Sequence, residues 1–127
     1  MPVVAIATNK APTAVGAYSQ ATAIGDYYFF SGMLGINPLN GELAQGFDAQ
    51  LKQVLSNIDG LLEHLNISRS QIVKTTIFMK DLKDFAKVNQ AYTEYFPQPF
   101  PARSCVEVSR LPKDALIEIE VIATKIK

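Results

Sequence analysis

Leu51, Val54, Leu55, Ile58, Leu61, Leu62 and Leu65 recur at helical spacing, and the rest of their segment is largely polar. A helix with one apolar stripe must bury that stripe against another element, and the flanking segments read as strands, so the pattern predicts a helix lying on a sheet. Asp48 is placed to cap its start and Asn66 to end it.

Three strands are expected before this helix, at residues 3–8, 18–24 and 27–31. Pro12 and Gly16 separate the first two, and Gly25-Asp26 forms a hairpin turn before the aromatic third. Asn37-Pro38-Leu39-Asn40-Gly41 is turn chemistry. Residues 72–80, rich in Thr, Ile and Phe, form a fourth strand. A second helix starts near Asp84 and carries Phe85, Val88, Tyr92, Tyr95 and Phe96. Pro97, Pro99 and Pro101 stop it and stiffen the approach to residue 103. Strands at 103–109 and 115–125 follow. With 127 residues, this order fits a single α+β domain, residues 1–127, with one sheet and both helices on one of its faces.

Composition narrows the function. Lysine plus arginine equals aspartate plus glutamate at 12 each, so no broad basic field exists to hold nucleic acid or an anionic membrane. His64 and Cys105 are the only histidine and cysteine, too few for a His/Cys zinc site or an intrachain disulfide. No secretory signal or run of ~20 apolar residues is evident, and the expected location is cytoplasmic.

In the last strand Ile117, Ile119 and Val121 alternate with Glu118 and Glu120. In the strand before it, Val106 and Val108 alternate with Arg103, Cys105 and Glu107. Giving the apolar sets to the helices leaves Arg103 and Glu118 together on the bare face of the sheet. That face also carries Leu116, Ile122 and large aromatic rings, a mixture suited to an oligomer interface with a site between subunits.

Arg103 can grip a carboxylate through two parallel hydrogen bonds. Glu118 or Glu120, if enclosed, can hold a water and move a proton. Cys105 lacks a nearby base, since His64 lies on the surface end of a distant helix, so a Cys–His mechanism is rejected. Asn89 borders the apolar stripe of the second helix; a buried amide tying helix to loop is favoured over a pocket role. Gly32, after Ser31 at the end of the aromatic strand, permits either close approach of a ligand or a plain turn. Tyr18 fits a core position or a ring closing a pocket from a neighbouring subunit equally well.

Along nearly its whole length the chain resembles the reactive intermediate deaminase A (RidA, or YjgF) family. The matching segments are Gly16-Ala17-Tyr18, Ser31-Gly32, Asn37-Pro38, Gly41-Glu42, Ile72-Val73-Lys74-Thr75-Thr76, Asp84-Phe85, Val88-Asn89, Arg110-Leu111-Pro112-Lys113-Asp114, Ile117-Glu118-Ile119-Glu120 and, most specifically, Phe100-Pro101-Ala102-Arg103-Ser104-Cys105-Val106-Glu107-Val108. The resemblance implies a chorismate-mutase-like α+β fold and a homotrimer, with a central barrel of sheets and three intersubunit clefts. It also implies hydrolysis of 2-imino acids, formed from 2-aminoacrylate and 2-aminocrotonate, to 2-oxo acids and ammonia. Pyridoxal-phosphate dehydratases would release those enamines, and no cofactor or metal is implied in this chain.

Carried over from the family, Arg103 would hold the substrate carboxylate and Glu118 would position the attacking water. Tyr18, Ser31, Gly32, Ser104 and Cys105 would line the cleft, with Asn89 behind them and Glu120 structural. Ala17 replaces a proline common before the tyrosine, which is expected to loosen Tyr18, and Met33 replaces a common glutamine, which is expected to make the pocket lip less polar. Two other functions are carried beside the deaminase: a regulator that binds 2-oxo acids without turnover, and RNA cleavage or translation inhibition, against which the balanced charge argues.

Overall fold

The computed structural model describes residues 2–127. Its strands are β1 (Val4–Ile6), β2 (Ala21–Ile24), β3 (Tyr27–Leu34), β4 (Ile72–Met79), β5 (Ala102–Glu107) and β6 (Ile117–Thr124), and its helices α1 (Phe47–Leu65) and α2 (Phe85–Tyr95). The strands form one mixed sheet in the order β1-β2-β3-β6-β4-β5. Only β4 and β5 run parallel, since α2 carries the chain back between them. One core joins both helices to one sheet face. Phe30, Met33, Ile77, Met79, Ile117, Ile119 and Val121 meet Leu51, Val54, Ile58, Leu61, Val88 and Tyr92 there.

Several local expectations shift. Gly46, not Asp48, is the N-cap of α1; Asp48 lies inside the first turn, where the helix dipole favours a carboxylate, and pairs with Lys87 at 3.1 Å. Asn66 does end the helix, in the left-handed conformation at φ 56°. The second strand starts at Ala21 rather than at residue 18. Gln20 is buried, and its side chain satisfies the incoming loop instead. It accepts from Thr8 N–H at 2.6 Å and donates to the carbonyls of Thr8 at 2.9 Å, Ala11 at 3.2 Å and Pro12 at 2.7 Å. The same loop crosses α1 at Gly60, where a Cβ would overlap the Lys10 carbonyl.

The aromatic strand does not end at Ser31-Gly32. It runs on to Leu34 through a bulge, with Ser31 and Gly32 together opposing Glu120. Met33 is consequently buried in the core, 5% exposed, and is not part of a pocket lip.

Two buried amides of α1 clamp the strands around this bulge. Asn57 donates to the carbonyls of Leu34 (3.0 Å) and Ile36 (2.8 Å), and Gln50 accepts from Leu116 N–H at 2.8 Å. Glu118 sits directly opposite Leu34 and two residues beyond Leu116, so both amides fix the strand segment that carries it.

Candidate active site

Pairing register decides which side chains share a face. Arg103 pairs with Thr75 and Cys105 with Ile77, while Thr75 and Ile77 pair with Val121 and Ile119. Those partners are buried under the helices, so Arg103 and Cys105 lie on the helix-covered side. Glu118 pairs with Phe78, which pairs with Val106; Glu120 pairs with Thr76, which pairs with Ser104. Arg103 and Glu118 of one chain therefore point from opposite faces, contrary to the expectation from alternation. The cause is the edge position of β5: Val106 is 44% exposed on the bare face, and on the helix side Arg103 lies against Phe85, Asn89 and Tyr92 of α2.

The helix-side group is built around Arg103. Its Nη1 donates to Asn89 Oδ1 at 2.6 Å, and its guanidinium carbon stands 5.0 Å from the Phe85 ring centre and 5.4 Å from that of Tyr92. Asn89 is exposed rather than the buried amide expected, and it ties α2 to the edge strand β5 through Arg103. Tyr92 is anchored by donating to Thr75 Oγ1 at 2.8 Å, and burial pushes its phenol up to about 12. Cys105 is half-buried beside Met79, sulfur to sulfur 3.6 Å, and burial raises its thiol despite the nearby Arg103, which opposes a thiolate nucleophile.

The other arginines, Arg69 and Arg110, pair with Asp59 at 2.8 Å and Asp114 at 2.7 Å. Among the described residues Arg103 has no such carboxylate partner.

The bare-face group is built around Glu118. A Cβ on Gly32 would lie 2.6 Å from Glu118 Cδ and 2.9 Å from Cγ, so the missing side chain is what lets this carboxylate rest on the bulge. Ser31 Oγ donates to the Ser19 carbonyl at 2.6 Å, which pins the segment holding Tyr18, itself 54% exposed, to the same bulge. Burial, and secondarily the charge of Glu120, raises the Glu118 carboxyl above its ordinary range.

The structure thus assembles two groups: Arg103, Cys105 and Asn89 on one side, Glu118, Ser31, Gly32 and the Tyr18 segment on the other, with Ser104 beside Thr76 on the bare face. Sequence reasoning missed Phe85 and Tyr92, read there only as core stripe, and Gln20. Their spacing with Asn89, at i, i+4 and i+7, was the available signal for the first two. Among the described residues no group of three or more His, Cys, Asp or Glu is arranged to hold a metal, and no helix is long and apolar enough to cross a membrane.

Residues 8–125 match the family model described as Endoribonuclease L-PSP. A RutC family protein of Pyrococcus abyssi is 50% identical over 121 residues, covering 94% of this chain and 95% of that protein. The chain belongs to the RidA (YjgF) family. A 2-iminobutanoate/2-iminopropanoate deaminase of Escherichia coli is 47% identical over 123 residues, covering 94% and 96% of the two chains. The crystal structure of RidA from the Antarctic bacterium Psychrobacter superposes with a TM-score of 0.91 at 43% identity, covering 94% and 97%. That of E. coli TdcF with bound serine superposes at 0.89 with 38% identity, covering 94% and 97%. The expected family fold, a single mixed sheet carrying two helices, is the one observed.

Proposed function

We propose that this protein hydrolyses 2-iminobutanoate and 2-iminopropanoate, the imine forms of 2-aminocrotonate and 2-aminoacrylate, to 2-oxo acids and ammonia. The observation that carries this reading is Arg103, held in place yet paired with no carboxylate, beside a family of relatives that includes enzymes named for this reaction. A relative crystallised with serine, itself an α-carboxylate, points to the same ligand class.

In the proposed chemistry Arg103 binds the substrate carboxylate. Water held by Glu118 adds to the imine carbon, forming the C–O bond while Glu118 takes its proton. Glu118 returns that proton to the nitrogen, which has taken the C=N π electrons, giving a carbinolamine. The remaining hydroxyl proton then passes by way of Glu118 to the amine, so that the C–N bond breaks, the O–H electrons form the C=O of the 2-oxo acid and ammonia leaves. The imine carbon is already electrophilic, so orientation and proton movement are the protein's whole contribution.

Opposite-face placement of Arg103 and Glu118 supports a composite site, in which the Arg103 edge of one chain meets the Glu118 face of another. Exposed apolar groups on that face, Phe29, Tyr27 and Val106 among them, favour burial against a second copy. We propose the homotrimer with three intersubunit clefts that the family resemblance implies; native mass measurement showing only monomer at micromolar concentration would overturn it.

The enzymatic test is ammonia release from 2-aminocrotonate generated in situ by a dehydratase. Arg103→Ala is expected to lower kcat/KM at least about a hundredfold with little change in melting temperature. Full activity in this variant would end the reading. Acceleration by neither protein, with 2-oxo acids still bound, would select the regulator instead.

A further inference from the structure

Arg103 is held by three groups, and none of them carries a charge. Phe85, Asn89 and Tyr92 fall at i, i+4 and i+7 of α2 and so form one strip along the helix. Two of them place ring faces within 5.0 and 5.4 Å of the guanidinium, and the third accepts a 2.6 Å hydrogen bond through an amide oxygen. Among the described residues the Nε and Nη2 groups of Arg103 have no hydrogen-bond partner, which leaves that edge of the fork to a ligand. Arg69 is the contrast within this molecule. It also stacks on a tyrosine, 3.8 Å from the Tyr95 ring centre, but Asp59 takes its Nε and Nη2 edge at 3.0 and 2.8 Å. That arginine has an oriented fork with no charge left over.

We infer that the Phe85-Asn89-Tyr92 strip of α2 is a neutral cradle, which orients Arg103 without neutralising it and thereby sets the affinity of the site for a carboxylate. The essential property is the amide at residue 89. An aspartate there would make the same hydrogen bond, with more strength, and would cancel the charge the ligand needs. A purely structural tether predicts the opposite, since a charged acceptor would hold the strand edge at least as well. These are positioning residues acting through Arg103. The proposal rests on the reading of Arg103 as a carboxylate anchor but not on turnover.

Asn89→Asp separates the two roles. The probe is 2-oxobutanoate, its binding followed by calorimetry, with butan-2-one as the control lacking a carboxylate. Asn89→Asp is expected to weaken 2-oxobutanoate binding by about tenfold or more while keeping or raising the melting temperature. The deficit should shrink as pH falls and the introduced carboxyl takes a proton. Asn89→Ala should weaken binding less than Asn89→Asp, because it loses orientation and keeps the charge. Phe85→Leu, which preserves apolar bulk without a ring face, should cost about threefold.

Wild-type affinity in Asn89→Asp, or an Asn89→Ala loss larger than that of Asn89→Asp, overturns the cradle; so does a wild-type protein that does not bind 2-oxobutanoate. Should Asn89→Asp fail to fold, unchanged binding in Phe85→Leu overturns it as well. A wild-type protein that binds 2-oxobutanoate with the expected Asn89→Asp loss, yet does not accelerate imine hydrolysis, supports the cradle and removes the deaminase. Fast hydrolysis with unchanged binding in Asn89→Asp does the reverse.

Discussion

Arg103 and Glu118 project from opposite faces of the same sheet, with β4 between their strands. In one chain the guanidinium thus lies on the helix side of the sheet and the carboxylate on the bare side. The composite cleft proposed above takes the two groups from two chains. Mixing Arg103→Ala with Glu118→Gln subunits should then restore activity that neither variant has alone. In a cyclic trimer assembled at random from equal amounts, about a quarter of the clefts would carry both intact groups. Mixed oligomers verified by mass, yet with no recovered activity, would rule out the composite cleft.

Gly32 and Gly60 should separate function from stability. The three atoms nearest a methyl on Gly32 are Oε2, Cδ and Cγ of the flexible Glu118 side chain. Gly32→Ala should therefore displace that carboxylate, lowering kcat about tenfold or more with only a small change in melting temperature. A methyl on Gly60 instead meets the Lys10 backbone, 2.7 Å from its carbonyl carbon. Gly60→Ala should cost about 1–3 kcal/mol of stability while the folded fraction keeps its activity. Equal effects of both on the same property would contradict this division.

The raised Glu118 carboxyl has a defined pH signature. Its ordinary value is 4.5, and the folded protein holds the proton more tightly than the unfolded chain does. Stability contributed by that proton is present below about 4.5 and is lost as pH rises through the folded value. Glu118→Gln should thus melt higher than wild type at neutral pH, with the difference vanishing at lower pH, while hydrolysis is lost. A melting difference that grows as pH falls would be the wrong sign.

Gln20 holds the loop before β2 through four hydrogen bonds. Gln20→Met, of similar length but without donors or a strong acceptor, should destabilise the fold by about 3 kcal/mol, because it strands buried carbonyls. It should also raise KM more than it lowers kcat, since the Tyr18 segment loosens while Glu118 stays in place. Chemical denaturation with steady-state kinetics checks both, and an unchanged KM would disconnect this loop from the site.

The sequence by itself determined much of this architecture. The α1 stripe and the Ile117-Glu118-Ile119-Glu120 alternation were legible because each has one strongly apolar set and one charged set, and burial admits only one assignment. The run ending at Arg103 stood out for its prolines, and the family resemblance followed from its residues. Tertiary structure alone decided where Arg103 points. In β5 both alternating sets hold apolar residues, Cys105 in one and Val106 in the other, so composition could not select a face. The strand's place at the sheet edge, set by pairing with β4, leaves Val106 exposed and turns Arg103 onto α2. Residues 18–20 were misread as strand because a single buried side chain, Gln20, satisfied backbone groups that local pattern reserves for a ladder. Long-range pairing and one-residue hydrogen-bond hubs have no period, and only the folded chain reveals them.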